Sequence, residues 1–192
     1  WVIPTAADAD FPKILVNTVK APTKNRHFLA DATDAVKAFA LSSSDVDLGT
    51  TDLLTIDTVD AMRSVMDSMA LPPPMIKVPG DAAAEDSPIR LWLMSPTQFD
   101  SFAASSTYRT YQANALARAA LAKQHPIFLG PETALWNGFL IKKMPRPIRF
   151  YAGDVVKYCA SATSETESDA TVASALTRGT YAIDRSIILG GQ

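Results

Sequence analysis

The sequence predicts an α+β fold, and three observations carry the prediction. Apolar residues recur at three- and four-residue steps from Leu53 to Met69, the period of an amphipathic helix. A compact apolar run, Ile89 to Met94, is followed at once by a helix-start signal. Strand-like segments then cluster between Phe139 and Cys159 without regular alternation with helices, which disfavours a doubly wound parallel sheet.

Residues 1–25 carry prolines at positions 4, 12 and 22 and the acids Asp8 and Asp10, and read as an extended arm. Within it Ile14-Leu15-Val16 could pair as a short strand. Asn25-Arg26-His27-Phe28 leads into a small, polar stretch rich in Ala, Ser and Asp that reaches Gly49. The strongest helix follows. Leu53, Ile56, Val59, Met62, Met66 and Met69 mark one face, and Asp57, Asp60, Arg63 and Asp67 lie on others. Thr51 or Asp52 is placed to cap its start by accepting a bond from a free backbone N–H. Arg63 can reach Asp60 and Asp67, three residues before it and four after. Leu71-Pro72-Pro73-Pro74 ends the helix, because proline lacks a donor and restricts the residue before it.

Ile89 to Met94 is expected as a strand with Arg90 and Trp92 on one face and Leu91 and Leu93 on the other. Ser95-Pro96-Thr97-Gln98 has the form of a capping box with proline in the first turn, opening a short helix through Phe99 and Phe102. A second, Ala-rich and basic helix is predicted from about Thr107 to Gln124, stopped before Pro126. Asn137-Gly138 is a tight-turn pair leading into the strand Phe139-Leu140-Ile141. Arg149 to Cys159 gives one or two strands around Gly153-Asp154. Residues 160–180, poor in large apolar groups, are expected to form a mobile loop. The chain thus divides into an arm and polar connector (1–50), an α+β core (51–158), and a flexible loop with the start of a further element (159–192). The chain begins at Trp1 and ends on an apolar run from Ile187, and is expected to be part of a longer protein.

Composition narrows the function. Of 192 residues, 47% are apolar and 20% charged, enough for a sizeable core without staples. The single Cys159 excludes an internal disulfide framework and a cysteine-rich zinc site. A net charge of −2 suggests neither a nucleic-acid coat nor a polybasic membrane anchor. No apolar run approaches the roughly 18 residues of a spanning helix.

Signatures of catalysis are missing. Neither phosphate-binding glycine loop occurs, nor the esterase elbow. Asp45-Val46-Asp47-Leu48-Gly49 lacks the third ligand and terminal glutamate of a calcium loop and reads as a solvated turn. The two histidines, His27 and His125, would need a carboxylate or further ligand brought in by the fold; His27 reads as a packing or interface residue. Glu165, Glu167 and Asp169 fall in the expected loop, where general acid–base geometry is not fixed. No catalytic residue, cofactor or metal is therefore assigned.

One charge feature stands out. Between Ser101 and Gly153, Arg109, Arg118, Lys123, Lys142, Lys143, Arg146 and Arg149 face Glu132 alone. They could form a solvated helix face and an edge strand guarded by lysines. They could equally form a cationic surface that meets acids of a neighbouring subunit or packaged DNA. No recognition motif accompanies them, which argues against sequence-specific binding.

The stretch His125 to Gly153, HPIFLGPETALWNGFLIKKMPRPIRFYAG, resembles a segment of the major capsid protein of tailed bacteriophages of the podophage type. Pro22-Thr23-Lys24-Asn25-Arg26-His27-Phe28, Leu54 to Met69, Ile89 to Gln98 and Tyr181 to Gly190 resemble further blocks of that family, in the same order. Gly130 to Ala134 departs from the shorter turn of many relatives. The resemblance implies the Hong Kong-phage capsid fold, with residues 51–69 as its spine helix and 51–158 as a peripheral-domain-like core. It implies a virion shell subunit assembled in the host cytoplasm from copies of itself in hexamers and pentamers, around double-stranded DNA. Scaffolding, cement and portal proteins are the other partners it implies, and no membrane. A small hydrolase or a monomeric ligand-binding module are the alternatives left by the residues alone.

Overall fold

A computed structural model describes residues 21, 26–69, 89–118, 132–161, 166–173 and 182–189, with the side chains of 115–118 outside that description. Trp1, residues 1–20 of the expected arm, Leu71 to Pro74, Lys123 and His125 lie outside the described residues.

Helix and sheet are mixed as the sequence predicts. The elements are β1 (Phe28–Asp31), β2 (Ala35–Ala38), β3 (Leu41–Ser42), β4 (Asp45–Val46), α1 (Ile56–Asp67), β5 (Arg90–Met94), α2 (Pro96–Ala103) and α3 (Ser106–Arg118). They continue as β6 (Thr133–Trp136), β7 (Phe139–Lys143), β8 (Ile148–Phe150), β9 (Val155–Cys159), β10 (Glu167–Thr171), β11 (Ile183–Arg185) and β12 (Ile187–Ile188).

One four-stranded sheet has the order β12-β5-β7-β6. β5 and β7 run parallel, which requires a crossover, and α2 and α3 lie in it. β6 and β7 form a hairpin closed by Asn137 and Gly138, with φ of 43° and 76°. Two left-handed residues are what a two-residue turn needs to follow the strand twist, hence the Asn-Gly pair. Val59, Met62 and Met66 of α1 pack with Trp92, Met94, Phe139 and Ile141 of the sheet and Phe99, Phe102 and Tyr108 of α2 and α3. That is the first core. In β5 burial alternates as the sequence predicts, with Arg90, Trp92 and Met94 inward.

α1 begins later than expected. Its cap is Thr55, whose hydroxyl accepts from Thr58 N–H while the Thr58 hydroxyl accepts from Thr55 N–H. Thr51 and Asp52 lie in the turn before it, and Leu53 is 57% exposed. The reason is that Asp52 is used elsewhere: its carboxylate accepts from Gly49 N–H and Ala32 N–H, tying the turn to the β1–β2 hairpin. The capping box at Ser95 and Gln98 forms as the sequence predicts.

A second core lies under a second sheet, ordered β3-β4-β10-β9, and joins Leu29, Phe39, Val46, Val156, Ala170 and Val172. Two expectations fail here. The polar stretch after Phe28 contains two hairpins, β1–β2 and β3–β4. Residues 167–171, expected within a mobile loop, are a strand paired antiparallel to β9 and parallel to β4. Ala170 in the strand and Val172 just after it are buried, so a segment without large apolar groups still supplies a core face. β8 and β11 form a two-stranded sheet beside these.

Candidate assembly surface

Polar residues of the described chain mostly lock elements together. Asp184 of β11 receives a two-toothed bond from Arg149 of β8, at 2.6 Å from Nε and 2.8 Å from Nη2. The fully buried Ser95 hydroxyl donates to the same carboxylate at 2.7 Å, and Gln98 Nε2 donates to the Asp184 carbonyl at 2.8 Å. Arg149 Nη2 also donates to Thr97 Oγ1 at 2.8 Å. Burial alone would raise the Asp184 pKa; the bonds from Arg149 and Ser95 outweigh it and hold the carboxylate below its ordinary range. The capping-box residues at the start of α2 thus also hold the β8–β11 pair.

On α1, Asp60 accepts from Trp136 Nε1 at 2.7 Å and Asn137 Nδ2 at 2.9 Å, fixing the helix to the β6–β7 turn. Arg63 bonds Asp67 as its spacing predicts, but Asp60 is taken by these donors instead of Arg63. The other oxygen of Asp67 accepts from the buried Arg90 at 3.1 Å. Asp47, in the sequence that hinted at a calcium loop, pairs with Lys37 at 3.1 Å, and Lys37 also pairs with Asp31 at 2.8 Å. Among the described residues no group of three or more His, Cys, Asp or Glu side chains is placed to hold a metal ion.

The seven basic residues differ in setting where the structure describes them. Arg149 is committed to Asp184. Lys143 bonds Asp100 at 2.9 Å and sits over the Phe99 ring. Arg109 is exposed on α3 and donates to the Ala103 carbonyl. Lys142 and Arg146 are exposed. Arg118 ends α3, with its side chain outside the description, and Lys123 lies beyond it. β7 is an inner strand of its sheet, flanked by β5 and β6, so its lysines do not guard an edge.

Apolar exposure is scattered. Tyr111 on α3 stands edge-on to Trp136, centroids 5.4 Å apart at 90°. With Ile89, Leu135 and Gly138 they line an open groove beside Asp60. Ile148, Val155 and Leu189 are the exposed large apolar residues of the strands and their ends. Trp92 is 3% exposed within the single chain and fills the first core.

Among the described residues His27 has no hydrogen-bonded carboxylate or second histidine. Its Nδ1 is buried without a hydrogen-bond partner, and its ring stacks on Phe39 at 4.2 Å. Burial, then the nearby Arg185, push its pKa down to about 4. It packs, as the sequence suggests. The locks at Asp60 and Asp184 were not legible in the sequence, because their partners lie 76 and 35 residues away or more.

The described elements are cross-braced through Asp60 and Asp184 and leave Ile148, Val155 and Leu189 exposed. No curated protein and no solved structure matches the chain. A family model described as phage capsid protein matches residues 4–192, so the chain belongs to the phage capsid protein family, a structural component of the bacteriophage virion.

Proposed function

We propose that this chain is the shell-forming subunit of a tailed-phage icosahedral capsid of the podophage type, built on the Hong Kong-phage fold. Copies associate into hexamers and pentamers that enclose double-stranded DNA. The observation that carries the reading is the family match over residues 4–192, joined to an ordered series of resembling blocks from Pro22 to Gly190. Support comes from α1, which lies against the four-stranded sheet as a spine helix would, about 18 Å long for its 12 residues.

In this reading Lys142, Arg146 and Arg109 give the exposed part of a cationic surface. It meets acids of a neighbouring copy or the phosphates of packaged DNA without reading sequence. The arm, residues 1–25, and residues 160–180 contact neighbouring subunits. Scaffolding, cement and portal proteins complete the particle in the host cytoplasm.

Electron microscopy of the full-length parent protein, expressed with its neighbouring genes, tests this directly. Uniform icosahedral shells are the expected product. Monomers or dimers at every salt concentration would overturn the proposal.

A further inference from the structure

Two described residues that precede β1, Ala21 and His27, are each held in place. Ala21 is gripped at the β9–β10 pair: its N–H donates to Glu167 Oε1 at 2.6 Å, and its carbonyl accepts from the Cys159 thiol at 3.4 Å. His27 is held by stacking. Its ring lies 4.2 Å from Phe39 at 17°, and Phe39 lies 5.1 Å from the ring of Tyr158 in β9. The His27 carbonyl accepts from Phe39 N–H at 2.9 Å.

The surroundings of His27 suit a neutral ring and no other. Nδ1 is buried and unpartnered, so a proton placed there would find no acceptor. The charged group facing the ring is Arg185 of β11, a cation that itself rests over the Phe150 ring at 5.1 Å. Arg26 precedes His27 in the chain. Lys157, beside Tyr158, pairs with Asp169. The carboxylates on the surrounding elements are engaged elsewhere: Asp31 with Lys37, Asp184 with Arg149, and Glu167 with Ala21. Among the described residues the charge acting on the ring is that of Arg185, so a positive imidazole would meet a second cation.

We propose that His27 is a proton-operated clasp: closed when neutral, it opens on protonation and frees the entry to β1 from Phe39. The clasp works within one subunit and does not depend on the assembly reading. Its operating window follows from linkage. The closed form holds the imidazole near 4, whereas an opened histidine returns to about 6.5. Opening therefore binds a proton, and the closed form loses ground as pH falls from about 6.5 to 4. Over that range the open-to-closed ratio rises by up to about 300-fold, the tenfold per pH unit of one proton taken up.

Hydrogen exchange at the Phe39 amide reads the clasp, because that N–H is bonded to the His27 carbonyl. The full chain is followed from pH 7 to 4, corrected for intrinsic exchange, with the His27 ring proton titrated by NMR. Phe39 protection is expected to fall by about two orders of magnitude in wild type. In H27F, which keeps a ring on Phe39 but binds no proton, protection is expected to stay level. Where H27F does not fold, R185M serves instead: removing the facing cation should move the His27 midpoint upward. An equal loss of protection in H27F, a His27 midpoint at its ordinary value, or an unmoved midpoint in R185M would each overturn the proposal.

Discussion

Asp184 and Arg149 share a two-toothed ion pair, and the carboxylate's remaining capacity is filled by Ser95. The pair joins β8 to β11 and fastens both to the start of α2, so one carboxylate decides the relative position of three segments. D184A leaves Arg149 and the buried Ser95 hydroxyl without their acceptor. Because Arg149 is 30% exposed, water recovers part of the loss, and a cost of about 2–4 kcal/mol is expected. Denaturant unfolding measures it; a change below about 0.5 kcal/mol would show that the pair is only a surface bridge.

The same carboxylate contributes to acid sensitivity. Its folded pKa lies below the ordinary 3.8, so its stabilising contribution is full above that value. The contribution is lost as pH falls through the depressed folded value. D184N should therefore flatten the stability profile below about pH 4 and leave the higher range, where His27 titrates, unchanged. Urea midpoints taken at half-unit steps distinguish the two windows.

Leu53 and Met66 share a helical period but differ in environment. Met66 is 1% exposed in the first core, and Leu53 is 57% exposed ahead of the Thr55 cap. M66A should cost about 2–5 kcal/mol through lost burial and the cavity left behind. L53A should change stability by less than about 0.5 kcal/mol. Comparable losses would mean that Leu53 is covered by something outside the described residues.

These contrasts show what the sequence could and could not yield. Local signals survived folding: the Ser95–Gln98 capping box, the β5 alternation and the Asn137-Gly138 turn each depend on neighbours within a few positions. The Thr55 cap was missed because Asp52, an equally good cap by type, is drawn off to Gly49 and Ala32. β10 was missed because Ala170 and Val172 become core residues only when β4 and β9 flank them. The basic residues looked alike in sequence. Asp100 and Asp184, which separate Lys143 and Arg149 from the exposed Lys142 and Arg146, are brought in by tertiary contacts.

Gly153 adopts φ of +84° in the turn between β8 and β9, with open space where a Cβ would stand. G153A therefore meets no neighbour, and its cost is that of the left-handed backbone alone, about 1–2 kcal/mol. A β-branched residue should cost more, since its second γ substituent crowds the same backbone. Thermal unfolding of G153A and G153V measures both; equal stability of the two and wild type would mean that the turn relaxes.

Lys142 and Arg146 are two of the exposed basic residues, and act on a neighbour if the face they occupy meets a second subunit or DNA as proposed. Both are exposed, so K142E/R146E should change subunit stability by less than about 0.5 kcal/mol. Assembly responds differently, because each charge change is repeated at every equivalent contact in a closed shell. The double reversal should therefore reduce shell yield at low salt, and added salt should restore part of it by screening the new repulsion. If the surface instead faces DNA, empty shells should form normally, and the loss should appear in the amount of DNA retained. Sedimentation of particles from wild type and variant, at two salt concentrations and with DNA content measured, separates these outcomes. Unchanged shell yield and unchanged DNA content would remove both roles from this surface.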